Sequence, residues 1–202
     1  MSLKDLDGIT ESPPEWAQNL DMDAYVKRQG EACIYMYDVL DRIRSVQPGL
    51  FSVCAQIREV HRQQQGMIEK LGIDCGTDVR RSFYFDWLYK ELSIERPSDN
   101  PRRFILAHAI GYLRGHERYC RLLESGREHG SLWNLFQGQA KENARMLLNA
   151  LAKKEGLPSV VMTGVVVLEA EERLMRLIWE HNGLPLPPSR WERLTSSNSP
   201  VV

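Results

Sequence analysis

Residues 102–126 read RRFILAHAIGYLRGHERYCRLLESG, and the fold turns on how that stretch is arranged. At 100° per residue Leu106, Ala109, Leu113, His116, Cys120 and Leu123 share one face, flanked by Ile105, Tyr112 and Tyr119. Arg103, Arg114, Arg118 and Arg121 fall within a narrow arc opposite, and Arg102 and Arg127 extend that arc at either end. The spacing predicts a core helix with a solvated row of guanidinium groups along its back.

Similar periodicity recurs on both sides. Asp21 or Asp23 can cap a helix running to about Val46, with Val26, Cys33, Met36, Leu40 and Ile43 on its stripe, and Pro48-Gly49 ends it. Leu50, Val53, Ile57, Val60, Met67 and Leu71 mark a second helix, and Gly72 stands where a left-handed cap is wanted. Between Thr77 or Asp78 and Leu92, Phe83, Phe85, Trp87 and Tyr89 alternate as in a strand, while Val79, Phe83 and Trp87 suit a helix. Helix is preferred, because Lys90-Glu91-Leu92 favours it and no partner strand is visible. Ile94–Pro101 is a loop.

After the glycines at 126 and 130, Leu132, Trp133, Leu135 and Phe136 read as a short apolar patch filling a gap. Ala140, Ala144, Leu147, Leu148 and Leu151 then define a helix over Gln139–Glu155, stopped by Gly156-Leu157-Pro158. SVVMTGVVVL (159–168) is β-branched enough for a strand, but it runs unbroken into a helical pattern. The reading is one helix over Ser159–Asn182, its greasy first half buried. The expected architecture is all-α, an irregular bundle of five or six helices with flexible termini. Residues 1–20 form an acidic arm, 21–183 a single helical domain, and 184–202 an extended proline-containing tail with Leu184, Leu186 and Trp191 able to lie along a groove.

Composition narrows the function classes. A net charge of −1 and a charged share of 26% give no global attraction to nucleic acid or anionic membrane. No run approaches 18 apolar residues, and the acidic first twenty residues are unlike a signal peptide, so no membrane span or export is expected. Cys33, Cys54, Cys75 and Cys120 form no C-x-x-C pair and read as reduced, cytoplasmic thiols. The motifs H-E-x-x-H, G-x-x-x-x-G-K-[ST], G-x-G-x-x-G and G-x-S-x-G are missing, and no histidine has Glu three residues before it. No catalysis and no cofactor are expected.

Three constellations remain. Arg103, Arg114, Arg118 and Arg121 form a candidate surface for phosphates or an acidic partner, against the plainer reading of a solvated face stapled by Glu117 and Glu124. Arg80-Arg81 before Phe83, Tyr84 and Phe85 has the basic and aromatic mix of single-strand nucleic-acid binders, although core filling accounts for most such rings. His116 and Cys120, one turn apart, are weak zinc candidates needing two further ligands, with His108 or His129 the nearest to hand.

Leu151–Val165 matches a helix-turn-helix in outline, but its second helix offers methyl groups where base edges require polar ones, so a hairpin packed in the core is the expectation. The functional expectation is a protein-interaction or regulatory protein that binds a partner or itself through the arginine row or the apolar C-terminal segment. The alternative is a nucleic-acid-binding regulator using residues 147–168, or the basic residues at 80–81 and 102–121.

Overall fold

The structure, a computed structural model, describes residues 21–76 and 83–181. The acidic arm, Arg80 and Arg81, the opener at Thr77 or Asp78, and the proline-containing tail lie outside the described residues. Among those described there are six α-helices and no strand: α1 (Met22–Val46), α2 (Phe51–Lys70), α3 (Phe83–Glu91), α4 (Pro101–Glu124), α5 (Gly130–Glu155) and α6 (Leu157–His181). A 3-10 turn at Pro48–Leu50 joins α1 to α2.

The boundaries follow side-chain chemistry. Asp21 accepts from the Ala24 amide at 3.0 Å and opens α1. Asn100 does the same for Arg103 N at 3.1 Å, with Pro101 in the first turn, where its missing N–H costs nothing. Gly72 ends the turn after α2 at φ +79°, in the left-handed region that favours glycine. Residues 83–91 are helical, as their flanks predicted.

α4 packs most extensively on α5, α1 on α2, and α6 rests on α4, α5 and α3. The main core gathers Leu40, Ile43, Ile57, Leu88, Phe104, Leu106, Leu147 and Val167 from all six helices. A second cluster surrounds Trp133, whose indole stacks on Tyr119 at 5.9 Å and donates to the Glu128 carbonyl at 2.6 Å. Leu132–Phe136 is therefore not a separate plug. It forms the first turns of α5, which starts at Gly130, nine residues before the apolar stripe at Ala140 had suggested, and buries Leu132, Trp133 and Phe136.

Two expectations about helix faces are corrected. Phe104–Ile110 is buried on every side, because α3, α5 and α6 surround the first half of α4, whereas Leu113, His116, Cys120 and Leu123 are only half-buried. α6 is a single helix, but its first half is not buried throughout. Val160 and Val167 face the core, while Leu157 is 64% exposed, Val161 54%, Met162 73% and Val166 41%. The helix lies on the bundle through one side only.

Candidate functional site

Arg114 does not belong to a solvent-facing row. It is only 8% exposed and directs its guanidinium at Glu171 of α6, which is fully buried. Nε donates to Glu171 Oε1 at 2.6 Å and one terminal nitrogen to Oε2 at 2.8 Å, a two-pronged fit of planar fork to carboxylate. The other terminal nitrogen reaches Glu117 at 2.6 Å, and the Tyr84 hydroxyl donates to Glu171 Oε1 at 3.2 Å. Burial alone would depress the arginine, but the bonds to Glu171 outweigh it and hold the guanidinium charged, above its ordinary pKa. Spacing along α4 alone sets Arg114 on the outer arc, because α6, which lies along that side, is distant in the sequence. A clue existed in the sequence, since Glu171 shares a stripe with Val160, Val167 and Leu174.

The rest of the row is dispersed. Arg103 donates to the Leu92 carbonyl at 3.0 Å, Arg102 pairs with Glu155, and Arg118 and Arg121 are half-exposed. Tyr84 and Phe85 fill the core edge, as expected of most rings in that stretch. Phe85 stacks on Tyr35 at 5.9 Å and lies 4.2 Å from His108, in a space opened by Gly111, where a Cβ would stand 2.6 Å from the ring.

The zinc candidates come together as a pair only. His116 Nε2 lies 3.8 Å from Cys120 Sγ, and among the described residues no three His, Cys, Asp or Glu side chains converge to hold an ion. His108 is elsewhere, buried with its Nε2 hydrogen-bonded to the Tyr89 hydroxyl, and His129 sits at the start of α5 beside Asp23.

Two features escaped the sequence. One is a groove of about 450 Å³ between α1 and α2, lined by Tyr37, Asp41, Arg44, Arg58, Glu59 and Arg62. Its cations are already engaged: Arg58 grips both oxygens of Asp41 at 2.9 Å, Arg44 holds the same carboxylate at 3.1 Å, and Arg62 clasps Glu59 at 2.8 Å. That clasp lowers the Glu59 carboxyl to about 2. The groove is an ion-pair ladder joining two helices.

The other is the outer side of α6. α5 ends at Gly156, whose φ of +84° turns the chain, and α6 begins at once. The result has the connectivity of a helix-turn-helix, but the outer side of its second helix shows Leu157, Val161, Met162 and Val166 rather than groups that read base edges. Nor is the hairpin packed wholly in the core. A helix that is apolar all round is normally covered all round. Its doubled stripe, with Val160 and Val167 inward and Val161 and Val166 outward, was the available signal.

Among the described residues these features amount to an all-α bundle of six helices with an exposed apolar face on α6, an internal salt bridge and a half-exposed thiol–imidazole pair. No protein-family model matches the chain, and neither a curated protein nor a solved structure matches it. No helix among the described residues is long and apolar enough to cross a membrane.

Proposed function

We propose that the chain is a helical interaction protein without catalysis of its own, and that its working form is two copies joined along the outer side of α6. The observation that carries this reading is the exposure of Leu157, Val161, Met162 and Val166 on one helix face, since contiguous apolar surface on a soluble domain marks a contact site. The occupant follows from self-complementarity. In an antiparallel pair crossing between Val161 and Met162, the valine and methionine of one copy pack against those of the other, with Leu157 and Val166 at the two flanks.

Charged residues bound the face. Glu169, exposed, follows the patch, while Lys153 and Lys154 before it belong to the end of α5, where Lys154 Nζ donates to Gln47 Oε1. Beyond Glu169 the outer side carries Arg173, Arg176 and Glu180, which limits the contact to the first half of the helix. Four free thiols fit a reducing, cytoplasmic setting.

Sedimentation velocity of the full chain at rising micromolar concentrations should give twice the chain mass, and Met162→Glu should return it to the single-chain mass with its helical signal intact. A wild-type chain that stays single at every concentration would overturn the pairing and leave the face to its own residues 182–202 or to a different protein.

A further inference from the structure

Cys120 lies half-exposed on α4, and three groups are arranged around it. One turn back, His116 Nδ1 is 3.0 Å from the backbone carbonyl oxygen of Gln137 on α5. A carbonyl can only accept, so the ring proton sits on Nδ1 and the lone pair is on Nε2. That lone pair faces Cys120 Sγ at 3.8 Å. On the other flank, the side-chain amide of Gln137 donates to the same sulfur at 3.0 Å. A base, a group orienting that base, and a donor to the developing thiolate therefore meet on one sulfur, the arrangement that activates a thiol.

The other three cysteines have no such surroundings. Cys33 and Cys54 are buried, and burial pushes the first far above the ordinary thiol range and the second up to about 11. Cys75 is also buried, raised first by burial and then by Glu69 and Asp74. Two donors do not make a metal site, which leaves the pair free for chemistry on sulfur.

We propose that Cys120 is a modification site, a nucleophilic thiol that reacts with small hydroperoxides and is activated by His116 and Gln137. His116 Nε2 takes the Sγ proton, and the sulfur attacks the terminal oxygen of the hydroperoxide. The S–O bond forms as the O–O bond breaks, and the departing alkoxide or hydroxide takes the proton back from Nε2. The thiol is oxidised by two electrons to the sulfenic acid, and the peroxide is reduced to alcohol or water. This inference is independent of the α6 contact.

The test is peptide-resolved mass spectrometry on the folded full chain, first with limiting iodoacetamide, then with hydrogen peroxide followed by dimedone. Cys120 should alkylate at least about tenfold faster than the other three cysteines and alone carry the dimedone adduct. His116→Gln, which removes the base, should slow Cys120 by about tenfold or more, and Gln137→Leu, which keeps the backbone carbonyl, by several-fold. Glutathione-like reactivity at Cys120, a rate unchanged in both variants, or a dimedone adduct spread over several cysteines would overturn the assignment.

Discussion

Arg114 shows how much depends on a single contact. Its partner Glu171 is wholly enclosed, so Arg114→Ala leaves a buried carboxylate without its cation, and chemical denaturation should record a loss of about 3–5 kcal/mol. Replacing both residues, Arg114→Met with Glu171→Leu, should recover most of that stability. A single variant costing no more than a surface change would mean that the pair is not enclosed. Two histidines give a second residue-scale expectation. His61 donates from Nδ1 to Gln64 Oε1 at 2.9 Å and accepts from the Tyr112 hydroxyl at 2.6 Å, and burial lowers it to about 4. Burial, then Arg42, lowers His108 to about 3. Both are neutral when folded but take a proton when unfolded below about 6.5, so their stabilisation is complete above that pH. It is lost as pH falls towards 4 and then 3, at roughly 1.4 kcal/mol per pH unit for each histidine. Denaturation midpoints measured from pH 7 to 4 should fall accordingly, and His61→Gln should flatten the slope. At this scale the sequence revealed apolar identity but not partnership, because neither the meeting of His61 with Tyr112 nor that of Arg114 with Glu171 is local in the chain.

Elements were more legible than partners. Asp21, Pro48-Gly49, Gly72 and Gly156 announced their boundaries because capping and left-handed geometry depend on the residue at one position. Gly156 can be tested directly. At φ +84° and ψ 137° it occupies a region essentially reserved for glycine, so Gly156→Ala should destabilise by about 1–3 kcal/mol in thermal or urea unfolding. An unchanged midpoint would show that the α5–α6 joint relaxes. The start of α5 was missed because Leu132–Phe136 carries its own dense apolar patch, separated from Ala140 by Gly138, and periodicity alone does not bridge that gap. The α6 outer face was misread for a different reason. Hydropathy reports that a residue would gain from burial, not that its own chain supplies the cover, and a stripe meeting a twin looks the same as one meeting its own core.

At the scale of the molecule, the two core clusters account for the fold, and the near-neutral net charge leaves no long-range repulsion between copies. The thiol pair and the α6 face carry separate proposals, one a reactive spot on α4 and the other a contact between copies along an exposed apolar surface. The contact is the central claim, and its geometry can be trapped. In a chain with its four native cysteines replaced by serine, Met162→Cys should be joined to a second copy by a short bis-maleimide at micromolar concentration, whereas Arg176→Cys, on the charged half of the same helix, should not. Complete single-site labelling of Met162→Cys without any linked pair would contradict the account.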